Sequence, residues 1–393
     1  MQRRTFMAAS SAAMLLASSL RAEENSKRRV AVIGHTGRGN YGHGLDTVWQ
    51  KIAEAEIVAV ADPHEQGLAQ AVEKLKLKRG YADYHEMLNE TKPEFVSIGP
   101  RHPDQHKEML LAAIQSGAKG IYIEKPFCRT PAEADAIIAA AEKQGTKIAI
   151  AHRNRYHPAL AHIAELVASG EMGRLLEIRG KGKGDRRGGG EDLWVLGSHV
   201  LNLISHFTGA PKTVSALMRQ EGRHVTAADV KPGNEGLGPL AADEIRARYE
   251  MEDGTIAYFD SVVDDTTGPD GFCLQLIGGK GVVTLHVDRT PIAHYTPGNP
   301  FKVSPEGKPW IPITTAGVGK PEPNPELVRS VHNHLLPIRD LIESVDADRA
   351  PTCDVHEGAT TVEMICGVFQ SHREQGRAIS FPLANRENPL ADW

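Results

Sequence analysis

The chain has 393 residues, of which 40% are hydrophobic, 24% charged and only 5% aromatic, and its 45 Lys plus Arg against 50 Asp plus Glu leave a formal charge of −5. That length exceeds one small core and predicts about two domains. The acidic balance excludes a basic nucleic-acid-binding face, and the apolar content excludes a disordered acidic chain.

Residues 1–22 have the form of an export signal. Adjacent Arg3 and Arg4 are followed by Phe6, a mildly apolar stretch runs from Ala8 to Leu20, and Ala22 supplies a small residue at the end. The arginine pair points to the twin-arginine route and so to a periplasmic protein. The apolar stretch is short and rich in Ala and Ser, whereas a bilayer span takes about 20 predominantly apolar residues. Removing the segment takes away Arg3, Arg4 and Arg21 and no acid, which moves the formal charge from −5 to −8. No later stretch is long and apolar enough to span a membrane.

From Arg29 onward, short apolar runs alternate with helical segments. Val30–Ile33, Ile57–Ala61, Phe95–Ile98, Ile121–Ile123 and Ile148–Ile150 read as strands buried on both faces. Glu65–Leu77, Asp104–Ser116 and Ala132–Gln144 read as helices, with Pro103 and Pro131 at their starts. This alternation predicts a parallel sheet with helices on both faces and a ligand beyond the strands' carboxyl ends.

The first strand runs into a glycine-rich segment, Gly34 to Gly44, suited to a pyrophosphate at the N-terminus of the next helix. Two registers of G-x-G-x-x-G fit: Gly34, Thr36 and Gly39, which abuts the strand and is preferred, or Gly37, Gly39 and Gly42. His35, Thr36, Gly37 and Arg38 line this loop as candidate cofactor contacts. Asp62 ends the second strand, where a carboxylate binds both ribose hydroxyls and repels a 2′-phosphate, so NAD is expected over NADP.

Further segments carry a family resemblance. Gly99-Pro100, followed by His102 and His106, continues the third strand; Glu124-Lys125-Pro126 ends the fourth; Arg155 and Pro158 follow the fifth; and a glycine-rich loop from Gly180 to Gly190 leads to Gly197-Ser198-His199 and Asn202. Together these resemble the Gfo/Idh/MocA oxidoreductases, the family of glucose–fructose oxidoreductase and inositol dehydrogenase, over essentially the whole chain after the signal. The resemblance implies an α/β protein, with a Rossmann NAD-binding domain over 28–152 and a C-terminal α+β substrate and oligomerisation domain over 153–393, built on a mostly antiparallel open sheet. A homodimer or homotetramer is expected.

The resemblance places Lys125 and His199 beside nicotinamide and substrate, and Pro100, His106, Glu124 and Lys125 at the cofactor. The chemistry suits them, since alcohol oxidation needs a base for the hydroxyl proton and a cation to hold the oxygen. Arg155, Trp194 and Asn202 are candidate substrate contacts. Asn202 stands where the family usually has Asp, which leaves His199 without a charged partner from that position. Lys181, Lys183, Arg186 and Arg187 make the Gly180–Gly190 loop basic; it is read as a solvated loop, with a carboxylated sugar as the alternative.

The implied function is NAD-dependent oxidation of a secondary hydroxyl on a carbohydrate or polyol, with a tightly held cofactor because export would strip a loose one. The alternatives are a redox-neutral glycosidase or eliminase cycle through transient sugar oxidation, and a non-catalytic sugar- or nucleotide-binding protein. No metal is expected: His332 with His334, or His199 with His206, has no carboxylate set around it. The four cysteines, Cys128, Cys273, Cys353 and Cys366, form no C-x-x-C and are expected to be buried thiols.

In the second half, strands over Glu244–Glu250 and Thr255–Val263 flank Asp253-Gly254, and strands over Phe272–Ile277 and Val282–Val287 flank Gly278–Gly281. Helices are expected near Glu326–Ser344 and Glu357–Arg373, and the proline-rich stretch Pro291–Pro325 as a long surface loop.

Overall fold

A computed structural model describes residues 27–393; the expected export signal, residues 1–22, lies outside the described residues. Five parallel strands form the first sheet: β1 (Arg28–Ile33), β2 (Ala55–Ala61), β3 (Phe95–Ile98), β4 (Gly120–Ile123) and β5 (Lys147–Ile150), in the order β2-β1-β3-β4-β5. Val30, Val32 and Ile33 of β1 and all of Phe95, Val96 and Ile98 are fully buried, as continuous apolar runs require when both faces are covered. The order in which strands are added reverses between β1 and β3, and the crevice at that switch point is where such sheets bind ligands.

Helices α1 (Glu65–Leu75), α2 (Tyr84–Thr91), α3 (His106–Gln115) and α4 (Pro131–Gln144) connect the strands. Helix α4 shows why they start and stop. The Thr130 hydroxyl accepts from Glu133 N, Pro131 opens the first turn, and Gly145 closes the helix with φ 70°.

Between β1 and β2 the expected helix is missing. Residues 34–54 hold only turns and one short 3₁₀ segment, Val48–Lys51. Gly37, Gly39, Gly42 and Gly44 all have positive φ, and left-handed residues at that density interrupt a right-handed helix. The pyrophosphate cannot therefore rest on a regular helix N-terminus there, contrary to expectation.

The C-terminal half forms an 11-stranded sheet that is antiparallel except where Ile256–Val262 runs parallel to Leu175–Lys181. The predicted hairpins are present, Glu244–Met251 with Ile256–Val262 and Cys273–Gly278 with Gly281–His286. The Pro291–Pro325 stretch departs from expectation. Ala293–Pro297, Ile311–Thr314 and Gly317–Val318 add three strands to one edge of the sheet, and residues 298–310 and 319–324 remain loop. Ala293, Tyr295 and Ile313 point into the core, an alternation interrupted in sequence by Pro297 and Pro312.

The two halves interlock. Helix α5 (Leu335–Asp346) lays Ile338, Leu341 and Ile342 on Val30, Phe95, Tyr122 and Ala149 of the first sheet, so one face of the nucleotide-binding sheet is covered by the C-terminal chain. Helix α6 (Val355–Arg373) packs between α4 and the strand Pro211–Gln220. The cysteines are unpaired, three buried and Cys273 half-buried. Among the described residues, no helix is long and apolar enough to cross a membrane.

Candidate active site

The site lies along the carboxyl edge of the first sheet. At the end of β2, Asp62 is fully buried, and its carboxylate accepts from Thr36 N, the Thr36 hydroxyl, the Tyr41 hydroxyl at 2.9 Å and His64 N at 2.9 Å. Gly34, directly after β1, lies beneath the Tyr41 ring, and a Cβ there would meet that ring at 2.1 Å. His35 pairs with the side chain of Gln105 at 2.8 Å and Arg38 with Asp104, which ties the glycine loop to the turn after β3. Gly39 packs on the Arg101 backbone.

These residues fit a nicotinamide dinucleotide, with glycines giving close approach at the crevice and an acid at the ribose position. The fit carries one condition. Backbone and hydroxyl donors already occupy both Asp62 oxygens, so a ribose diol binds there by displacing a hydroxyl, that of Tyr41 or of Thr36.

At the end of β4, Glu124 is buried with three donors on its carboxylate: His43 N, His43 Nδ1 at 2.6 Å, and Lys125 N at 3.0 Å. Burial pushes its pKa up, but the hydrogen bond and charge of His43 and the charge of Lys125 outweigh that and leave it at about 2. Glu124 thus ties the glycine loop to the backbone of Lys125. His106 is also held by the surrounding backbone. It is fully buried, with Nε2 2.7 Å from Pro100 O and Nδ1 2.9 Å from Pro126 O, so it braces the loops after β3 and β4 against each other.

Lys125 is 7% exposed and donates from Nζ to the Val195 carbonyl at 2.7 Å. Val195 belongs to a π-helical turn, Leu193–Gly197, that leads directly into α7 (Ser198–Thr208), which carries His199 in its first turn. Such turns are rare and frequent at functional sites. The lysine is therefore anchored to the segment that presents the histidine. Burial depresses the Lys125 pKa against the opposing charge of Glu124.

His199 is itself 7% exposed. Burial and the neighbouring charge of Lys125 hold its pKa well below the usual imidazole value, with His152, Arg153 and His43 acting in the same direction. A neutral imidazole next to a buried ammonium can accept a proton from a hydroxyl that the ammonium holds.

The other expected substrate contacts are engaged within the fold. Trp194 is fully buried in the core. Arg155 forms a two-pronged ion pair with Glu357 at 3.0 and 2.6 Å. Asn202 donates to the same Glu357 carboxylate at 3.2 Å and lies 3.9 Å from Cys353 Sγ. It links α7 to α6 and makes no hydrogen bond to His199.

The Gly180–Gly190 segment is not a solvated loop. Gly180 and Lys181 end a strand, and a Cβ on Gly188, Gly189 or Gly190 would come within 2.3 Å of the backbone of residues 241–263. Lys181 pairs with Asp265, and Lys183 and Arg187 share Asp185, so three of its four basic side chains lie in ion pairs within the fold.

His152 and His43 were not singled out by the sequence reading. His152 follows β5 as Lys125 follows β4, so the strand-end rule that selected Lys125 applies to it equally. His43 has no comparable signal, because its position depends on the path of the glycine loop. Among the described residues, no cluster of three or more His, Cys, Asp or Glu is arranged to hold a metal ion.

A family model described as an oxidoreductase family with an NAD-binding Rossmann fold matches residues 28–152, and the model of the same family's C-terminal alpha/beta domain matches residues 165–380. The D-apiose dehydrogenase of Paraburkholderia graminis is 32% identical over 125 residues, which is 32% of this chain and 33% of that enzyme. The trans-1,2-dihydrobenzene-1,2-diol dehydrogenase of Bos taurus is 30% identical over 188 residues, 45% of this chain and 55% of that enzyme. The chain therefore spans between about a third and about a half of these curated relatives' lengths. Levoglucosan dehydrogenase in complex with NADH shares the fold with a TM-score of 0.72 at 16% identity, covering 91% of this chain and 100% of that one.

Proposed function

The chain belongs to the Gfo/Idh/MocA oxidoreductase family, and on that footing we propose that it oxidises a secondary hydroxyl of a carbohydrate or polyol with NAD. NAD, when bound, supplies the hydride acceptor. Lys125 holds the substrate oxygen and favours its deprotonation, and His199 takes the hydroxyl proton. The observation that carries this reading is the hydrogen bond from Lys125 Nζ to the Val195 carbonyl, which couples the lysine to the turn that presents His199. Burial and the charge of Lys125 keep the His199 ring neutral, so a ring-nitrogen lone pair is free to accept the hydroxyl proton.

A redox-neutral cycle is favoured by export, which leaves a tightly held NAD to be regenerated in place, and slightly by Asn202. The Asn202 amide is spent on Glu357 and makes no hydrogen bond to His199, so plain oxidation is kept as the first reading. Export to the periplasm with a tightly retained NAD, and assembly into a dimer or tetramer through the open sheet, remain part of the proposal. They rest on the arginine pair of the first residues and on the family resemblance. The test is to supply purified protein and NAD with a panel of sugars and polyols and to follow the absorbance of the reduced nicotinamide. Substrate-dependent reduction supports the reading; NAD binding with no reduction by any polyol would refute it.

A further inference from the structure

The loop after β5 is set by its backbone. His152 N donates to Ile150 O at 2.8 Å, a γ-turn centred on Ala151, and Arg155 N donates to His152 O at 2.9 Å. With both sides fixed, the buried His152 ring meets His199 edge-on at an interplanar angle of 89°, with the two Nδ1 atoms 3.3 Å apart. Two neutral imidazoles meeting through the same nitrogen share one proton: one ring donates and the other accepts. The tautomer of His199 is therefore tied to that of His152.

We propose that His152 is a positioning residue for His199, accepting the Nδ1 proton of His199 and so holding that ring in the tautomer whose Nε2 is bare. This rests on the function proposed above. In the reaction the substrate O–H bond breaks and an N–H bond forms at His199 Nε2, while the carbinol hydride leaves for NAD. The new imidazolium keeps its Nδ1–H on His152, so the positive charge is shared with a second ring instead of standing alone beside Lys125. In the opposite tautomer, with the shared proton on His152, Nε2 of His199 already carries a proton and cannot accept another.

The charged and titratable groups around the pair favour a single shared proton. His199 faces Lys125 from the loop after β4, Arg153 from the loop after β5 and His43 from the glycine loop, all opposing a second charge. His152 faces Lys125 and Arg155, with Glu124 acting the other way, and its pKa falls to about 3, with burial as the largest cause. Both rings are thus neutral across the working pH range.

The test uses the full chain labelled with ¹⁵N-histidine, as wild type, His152→Phe and His152→Asn. The side-chain oxygen of Asn can take the acceptor position of Nδ1, whereas Phe keeps the volume without the acceptor. Two-bond proton–nitrogen spectra should show His199 protonated at Nδ1 in wild type and His152→Asn, and at Nε2 in His152→Phe. On a polyol substrate, His152→Phe should lose about 10²-fold in kcat with KM little changed, and His152→Asn should recover most of that loss. NAD affinity verifies that each variant is folded. Wild-type His199 protonated at Nε2, or a His152→Phe protein with wild-type spectra and pH profile, would overturn the proposal. The spectra need no substrate, so an enzyme that oxidises no polyol would contradict the proposed function while the tautomers still decide the role of His152. Should His152→Phe not fold, the wild-type tautomer alone decides.

Discussion

Lys125 Nζ donates to the main-chain carbonyl of Val195 at 2.7 Å, and no carboxylate lies within ion-pair distance of that ammonium among the described residues. A buried lysine held by a carbonyl keeps its charge free to act on a substrate oxygen and on His199. Lys125→Met should therefore cost about 10²- to 10³-fold in kcat. It should also move the acid limb of the kcat/KM profile upward, because the cation that depresses His199 is gone. The pH profile of a slow but measurable variant checks this; an acid limb that stays in place would show that Lys125 does not face His199.

Tyr41 competes for the acid that recognises ribose. Its hydroxyl donates to Asp62 while its ring covers Gly34. Tyr41→Phe keeps the ring and removes the competing donor, so the NAD dissociation constant should fall by up to about tenfold. Asp62→Asn should weaken NAD and narrow its preference over NADP. Calorimetric titration of both cofactors into both variants measures these changes.

Buried neutral histidines make the fold acid-labile. Burial lowers His152 to about 3 and His157, His206 and His334 to about 4. In the unfolded chain these rings titrate near 6.5, so the unfolded state binds more protons throughout that interval. Stability should be full above about pH 6.5 and fall steadily toward pH 4. Glu124, depressed to about 2, adds a further loss below its ordinary carboxylate range, in the same direction. Thermal unfolding midpoints measured from pH 8 to pH 4 test the sign; a flat profile would mean that these rings are protonated in the fold.

The glycines before Trp194 are packing residues. A Cβ on Gly188 would stand 2.1 Å from Val263 N, against backbone that cannot rotate away. Gly188→Ala should lower stability by about 1–3 kcal/mol, read from denaturant unfolding. A neutral effect would restore the solvated-loop reading.

Asn202→Asp tests whether this position serves the core or the chemistry. The new carboxylate would face Glu357, which the Asn202 amide now contacts at 3.2 Å and which is already paired with Arg155. The variant should lose a few kcal/mol of stability while keeping the kcat of the remaining folded enzyme. A gain in kcat would mean that the position does act on His199.

The strands of the first sheet were legible because each is buried on both faces and reads as an unbroken apolar run, as in Val30–Ile33 and Phe95–Ile98. The candidate site residues at their ends stand out for the same reason: Asp62, Glu124 and Lys125 are polar groups placed where such a run stops. What lay beyond reach depends on partners distant in sequence. Arg155, Trp194 and Asn202 are residue types that suit a sugar, but Glu357 and the core claim them, and Glu357 lies more than 150 positions from either polar one. The helix Leu335–Asp346 gave no sign that it covers the first sheet, since an amphipathic pattern states that a face is buried and not against what. The missing helix after β1 is explained only once the left-handed glycines are seen together.

If His199 is the base of a polyol-oxidising site, comparing wild type with His199→Ala for NAD affinity and for polyol-dependent formation of reduced nicotinamide decides its role. NAD affinity should stay within a few-fold of wild type and the rate should fall by about 10²- to 10⁴-fold. A His199→Ala protein that reduces NAD at the wild-type rate would contradict that role.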